Sequence, residues 1–190
     1  MKSRSEALLT PRARITGVIY LTYFLSAILA AVIKVHEPII YSNIVNLVGN
    51  MFYIIVTLLF YYMFKPVNKL VSFVAALFSL VGCAVGTLDL FDLAPSSISP
   101  LLFFGPYCVL LGYLIFQSTF LPRFLGVFMM FAGLGWLVFL SPLEKYLSLY
   151  IEIIGISAEG SLMLWLIVMG VNMQRWDKLA GSILNKNKEE

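Results

Sequence analysis

The segment 146–170, YLSLYIEIIGISAEGSLMLWLIVMG, predicts the fold because it has the length and composition of a membrane helix. A helix needs about 20 predominantly apolar residues to cross the hydrocarbon core of a bilayer. This segment nevertheless contains two acids, Glu152 and Glu159, seven residues apart. An ionisable side chain is costly where it faces lipid, so the segment raises the question of what these acids contact.

The whole chain has the composition of an integral membrane protein. Of its 190 residues, 61% are hydrophobic and only 12% are charged. A soluble domain carries roughly 25% charged residues, so this chain cannot cover a water-facing surface. The net charge of +3 comes from basic residues beside apolar segments. That placement favours membrane lipids, rather than nucleic acid, as partners.

Six apolar segments are predicted as membrane-spanning helices of a 14–171 transmembrane domain. They cover residues 14–34, 41–64, 70–91, 100–119, 123–141 and 147–171. The first run is longer than the apolar region of a cleaved signal peptide, so we expect it to be a span. Each of the five short connections contains proline, which favours a break at a helix end. We therefore expect an all-α bundle whose consecutive helices are antiparallel neighbours.

The basic residues predict the orientation of the bundle in the membrane. Of the 13 lysines and arginines, all but Lys34 and Lys145 lie in the termini or in the second and fourth connections. Basic residues concentrate on the cytoplasmic side of membrane proteins. We therefore expect a multi-pass protein with both termini in the cytoplasm, and with residues 1–13 forming the cytoplasmic N-terminus.

The cytoplasmic tail, residues 172–190, predicts a short amphipathic helix. One face carries apolar residues at helical spacing, and lysines lie elsewhere; the apolar residues are Trp176, Leu179, Ala180, Ile183 and Leu184. Such a helix is typical of the interface of a membrane leaflet. Docking on a partner protein is the alternative.

Polar residues of the spans gather in the half that is predicted to face outward. Glu152 and Glu159 share one face of the last span, because seven residues turn a helix by about 700°. Glu159 lies near mid-span, whereas Glu152 and Asp89 lie near outer ends. An acid so deep in a span needs a partner, and we expect one in the stripe of Asn43, Asn46 and Asn50 on the second span. The predicted ligand site consists of Glu159, Glu152, Asp89, Asn46, Asn50 and Tyr107.

Each of these side chains also has a structural interpretation. Glu159 can be a carboxyl that is hydrogen-bonded to another helix, and Glu152 can be an acid at the membrane interface. The asparagines can form hydrogen bonds that hold neighbouring helices together. Two cysteines without metal-ligand spacing and a single histidine predict no metal site. Phosphate-binding, hydrolase and metalloprotease motifs are absent from the sequence, so we expect no cofactor.

The C-terminal half resembles a known family. It contains GYLIFQSTFLPRFLG from Gly112 to Gly126, AGLGW from Ala132 to Trp136, and Glu159 with Trp165 in AEGSLMLW. These runs are similar to motifs of a bacterial family of six-span membrane proteins that is classified only as a domain of unknown function. The resemblance implies the fold, a bacterial inner-membrane location and an acid at the position of Glu159. It assigns no reaction.

Three functions are compatible with the sequence. The first is an outward-facing polar pocket that binds or transports a small cationic or neutral solute, linked to protons. Glu159 would be the central acceptor, Asn46 and Asn50 the walls, and Asp89 and Glu152 the acidic entrance. The second is an intramembrane enzyme acting on a lipid or isoprenoid-like substrate, with Glu159 and Asp89 as acid and base. The third is a structural or accessory subunit, and assembly as a homo-oligomer is left open.

Overall fold

The structure, a computed structural model, describes residues 6–95, 98–172, 174–176, 178–179 and 181. Within these ranges the chain forms helices and no strands. In the described part of the chain, the helices that form the bundle are α1 Glu6–His36, α2 Ile39–Phe64, α3 Lys69–Asp89, α4 Leu101–Gln117, α5 Arg123–Val138 and α6 Glu144–Val168. Each helix overlaps one predicted apolar segment, and α1 begins eight residues before the predicted first span, so the all-α prediction is confirmed.

Among the described residues, four helices are long and apolar enough to cross a membrane. They are the segments Ala13–His36, Ile39–Phe64, Lys69–Asp89 and Lys145–Val168. α4 and α5 are also apolar but have only 17 and 16 residues. At 1.5 Å per residue these two helices are about 25 Å long, which is less than the ~30 Å hydrocarbon core. The chain is therefore a multi-pass membrane protein, while the count of six spans and the orientation of its termini stay predictions.

The helices are arranged as a closed ring in chain order. Each helix packs against the next one, and α6 packs against α1. Aromatic side chains fill the interior. Tyr20 of α1, Tyr53 of α2 and Tyr107 of α4 are at most 4% exposed. The ring of Tyr53 lies 6.0 Å from that of Tyr20 and 6.2 Å from that of Tyr107, which joins three helices across the interior.

Two pairs of glycines bring α4 and α5 together. Gly112 faces Gly126, and Gly105 faces Gly133. A Cβ atom at Gly126 would lie 2.6 Å from the carbonyl oxygen of Gly112, and one at Gly133 would lie 2.7 Å from that of Gly105. Small residues allow such close backbone approach between membrane helices. Because seven residues separate the two glycines on each helix, the pairs lie about two turns apart.

The residues after α6 fold back onto the bundle. The backbone N–H of Asn172 donates to the carbonyl oxygen of Phe120 at 3.1 Å, and the Trp176 indole N–H donates to that of Met63 at 3.0 Å. The Met63 carbonyl belongs to the last turn of α2, where backbone acceptors lack partners within the helix. Trp176 therefore caps α2.

The predicted amphipathic tail helix is only partly covered by the structure. Residues 174–176, 178–179 and 181 are helical. Trp176 packs against the hydrophobic core of the bundle, so this end of the tail contacts protein as well as facing the predicted membrane interface. Ala180, Ile183 and Leu184 lie outside the described residues.

Replacing Trp176 with Phe should lower the free energy of unfolding by about 1 kcal/mol, because the Met63 carbonyl loses its donor while most of the aromatic area remains. Thermal unfolding of the purified protein in detergent measures the effect, which corresponds to a fall in Tm of about 2–4 °C for a chain of this size. An unchanged Tm would contradict the capping role of Trp176.

Candidate functional site

Glu159 is hydrogen-bonded to the first helix. The Tyr20 hydroxyl donates to Oε2 of Glu159 at 2.7 Å. Tyr20 is 1% exposed, and Glu159 is partly buried near the middle of α6. Gly17 helps to place the two helices, since a Cβ atom there would lie 2.8 Å from the side chain and backbone of Ile167. The close approach of α1 and α6 brings the tyrosine hydroxyl within reach of the carboxyl.

Three further tyrosines surround this pair. The ring of Tyr23 lies 6.0 Å from that of Tyr20 and 4.7 Å from that of Tyr53, and Tyr107 follows beyond Tyr53. All four tyrosines lie within electrostatic range of the Glu159 carboxyl. We call these five residues, contributed by α1, α2, α4 and α6, the Glu159–tyrosine cluster.

The cluster places a carboxyl beside aromatic rings, a combination that can attract a cation. The faces of aromatic rings carry negative electrostatic potential and attract ammonium or other organic cations, and the attraction is strongest where water is excluded. An ionised carboxylate adds a full negative charge. A hydrogen bond from a tyrosine hydroxyl fixes the position of the carboxyl oxygen. It also offsets the cost of removing that oxygen from water.

The expectation that the asparagines of the second span are the partners of Glu159 is wrong. Asn50 donates its side-chain amide to the carbonyl oxygen of Cys83 at 2.8 Å and to the Thr87 hydroxyl at 2.6 Å. Asn43 donates to the backbone carbonyl of Leu90, also on the α3 side. Both asparagines therefore join α2 to α3, which is the structural interpretation of this stripe.

The other predicted site residues are distributed unevenly. Tyr107 belongs to the cluster around Glu159. Asn46 is partly buried and makes no hydrogen bond within the described part of the chain. Asp89 is exposed at the end of α3, and Glu152 is exposed in the first half of α6. Of the six predicted residues, the structure thus brings together Glu159 and Tyr107.

Two cavities formed by described residues lie away from Glu159. One, of about 10 Å³, lies between α2, α3 and α4 beside Thr57, Ser72 and Tyr107, and has room for about one water molecule. The other, of about 420 Å³, lies where the α4–α5 connection meets the end of α6. Neither cavity is lined by Glu159, so the outward-facing pocket stays a prediction. Within the described residues, no group of three His, Cys, Asp or Glu side chains is placed to hold a metal ion.

The fold and the site define a multi-pass helical membrane protein with an acid held among tyrosines. Residues 96–170 match the model of a family described as a domain of unknown function, DUF4386. An uncharacterized protein of Archaeoglobus fulgidus is 29% identical over 142 residues, which cover 70% of this chain and 86% of the archaeal protein. No solved structure matches the chain.

These comparisons confirm the resemblance to an uncharacterised family. The matched segment contains α4, α5 and α6, and therefore both glycine pairs and Glu159. The similar protein is archaeal, so a bacterial inner-membrane location stays a prediction. The sequence analysis did not identify Tyr20, Tyr23 and Tyr53, because they lie within the apolar runs of the first two spans.

Proposed function

We propose that this protein binds a small organic cation at the Glu159–tyrosine cluster and carries it across the membrane in exchange for protons. The observation that carries the proposal is the 2.7 Å hydrogen bond from Tyr20 to Glu159 inside a cluster of four tyrosines. An acid deep in a membrane helix is a functional group by default, and here its surroundings suit a cation.

Exchange with protons follows from the chemistry of one carboxyl. A single carboxylate accepts either a proton or a cationic ligand, so that binding of one releases the other. Tyr20 is the group that the ligand must displace or share. In the proposed topology of six spans with both termini in the cytoplasm, Glu159 lies about midway between the two surfaces, where a carrier site is reached from either side.

The alternative of an intramembrane enzyme has less support. It needs Asp89 and Glu159 at one substrate. Asp89 is exposed at the end of α3, and α3 packs against α2 and α4 rather than α6. Glu159 meets a tyrosine instead of a second carboxyl. A purely structural role accounts for the packing of the four tyrosines but does not require an acid among them, whereas a cation uses both the rings and the carboxyl.

Equilibrium binding of tetraphenylphosphonium to the purified protein in detergent tests the proposal. This hydrophobic cation has a delocalised charge that suits aromatic walls. The wild-type protein should bind it, and added protons should compete with it. Absence of saturable binding, or binding that does not weaken as the pH is lowered through the titration range of a carboxyl, would overturn the proposal.

A further inference from the structure

The cavity at the end of α6 has a different character from the Glu159–tyrosine cluster. It has a volume of about 420 Å³ and is formed by the α4–α5 connection, by the turn that ends α6 and by the start of the tail. We call it the basic groove and define it by its lining residues, 119–122, 165, 169–172 and 175. It belongs to the end of the bundle that is predicted to be cytoplasmic.

The turn that shapes the groove depends on Gly170. Its φ is +67°, in the left-handed region that glycine tolerates best. Its N–H donates to the carbonyl oxygen of Trp165 at 3.1 Å, which closes the last turn of α6. Residues 171, 172 and 175, which follow this turn, line the groove together with residues 119–122.

Two arginines supply positive charge to the groove. Arg175 lines it and donates one Nη1 hydrogen to the carbonyl oxygen of Thr119 at 2.9 Å. A guanidinium has five N–H donors, so others remain for a ligand. Arg14 of α1 reaches the same place, since its Nε lies 4.0 Å from where a Cβ of Gly170 would be. None of the lining residues is acidic.

A third feature adds to the positive potential. Pro122, which lines the groove, is the N-cap residue of α5 and offers no side-chain cap to the first turn of that helix. Backbone N–H groups at a helix start lack partners within the helix and favour anions. Pro122 thus places the start of α5 beside the groove that Arg175 lines.

The groove also has an apolar edge. Trp165 lines it, and the ring of Phe124 packs against Trp165 at 5.9 Å in an edge-on arrangement. Phe124 and Met169 are both more than half exposed. Tryptophan is typical of the boundary between lipid chains and headgroups. The groove therefore has basic side chains on one side and apolar side chains on the other, and it lies at the end of a membrane helix.

We propose that the basic groove binds an anionic phospholipid. The lipid phosphate is held by Arg14, Arg175 and the first turn of α5, and an acyl chain lies along Trp165 and Phe124. This inference is independent of cation binding at Glu159, because the residues of the groove and of the cluster do not overlap.

Native mass spectrometry of the full-length protein in detergent tests this proposal by titration with phosphatidylglycerol and with phosphatidylcholine of the same acyl chains. The wild-type protein should bind phosphatidylglycerol more tightly. Arg14→Gln should weaken that binding about fivefold, and Arg14→Gln with Arg175→Gln about 30-fold, because each basic group near an anionic headgroup contributes about a factor of five. Arg14→Gln leaves the Arg175–Thr119 hydrogen bond in place, so its effect does not come from a detached tail.

Lys69→Gln is the matched control. Lys69 is exposed at the start of α3, on the predicted cytoplasmic side, and does not line the groove. The Lys69→Gln variant should bind phosphatidylglycerol with the same affinity as the wild-type protein. The proposal is overturned if the double variant retains wild-type affinity, if Lys69→Gln loses as much affinity as Arg14→Gln, or if inorganic phosphate displaces the lipid at equal concentration. The last result would show that the groove takes free phosphate and that its apolar edge contributes nothing.

Discussion

Gly126→Ala should destabilise the protein by about 2–3 kcal/mol, although it adds a single methyl group. The added Cβ would lie 2.6 Å from the carbonyl oxygen of Gly112 and from the backbone nitrogen of Phe116. Both neighbours are backbone atoms, which cannot rotate away as the end of a flexible side chain can. The two helices must shift apart at this position to make room for the methyl group, which weakens the packing around it. Thermal unfolding in detergent should show a fall in Tm of about 4–12 °C.

Gly160→Ala is the matched control for this prediction. Gly160 is also a helical glycine, but a Cβ there would meet no atom within 4 Å. Alanine is favoured over glycine in a helix interior by about 0.5–1 kcal/mol, so this variant should be neutral or slightly more stable. Equal values of Tm for the two variants would show that the glycine pairs do not determine the packing of α4 on α5.

Glu159→Gln should weaken tetraphenylphosphonium binding at least about 30-fold, which is the lower end of the effect of removing one partner from a desolvated charge pair. Glutamine has the same shape as glutamate, and its side-chain oxygen can still accept the Tyr20 hydrogen bond. The fold should therefore be kept, with a change in Tm of a few degrees at most. The carboxylate is lost, and with it the competition between the cation and protons.

Two further variants separate a specific site from general electrostatic attraction. Glu152→Gln removes the same charge seven residues away on an exposed part of α6, and its binding should equal that of the wild type. Tyr20→Phe keeps the carboxylate but removes the hydroxyl that holds it, and its binding should stay within about tenfold of the wild type. If Glu152→Gln and Glu159→Gln weakened binding equally, Glu159 would have no special role.

The sequence was sufficient to place the helices, because two simple signals agree. Apolar runs mark the helices, and prolines mark their ends: Pro38, Pro100 and Pro122 are the N-cap residues of α2, α4 and α5. The exact ends of the helices were less predictable. The apolar residues Phe139 and Leu140 continue beyond the end of α5, so composition does not show where its helical geometry stops.

The partner of Glu159 was beyond a reading of the sequence. The sequence predicts that an acid deep in a span needs a partner. Tyr20, however, lies in an apolar run, and nothing in the sequence around it marks its hydroxyl as that partner. The choice between Tyr20 and Asn50 depends on which helices are neighbours, and the contact of α6 with α1 arises only when the ring closes. Asn50 was placed correctly on a polar face, but the neighbour of that face is α3.

The glycine pairs could have been found from the sequence. Gly105 and Gly112 on the fourth apolar segment, and Gly126 and Gly133 on the fifth, have the same spacing of seven residues. Two consecutive antiparallel helices with this spacing place their glycines opposite one another. Three of the four glycines also lie in the runs that carry the family resemblance. The glycines in these runs therefore serve the packing of α4 on α5 rather than a reaction.

The hydrogen bond between Tyr20 and Glu159 joins residues that are 139 positions apart in the chain. A ribosome adds about 5–20 residues per second, so Tyr20 is made roughly ten seconds before its partner exists. During this time the first helix is in the membrane with a tyrosine hydroxyl that has no carboxyl to bond. The ring of helices closes only after α6 has been made, and a chain that stops short of α6 leaves this face of α1 and its tyrosine hydroxyl uncovered.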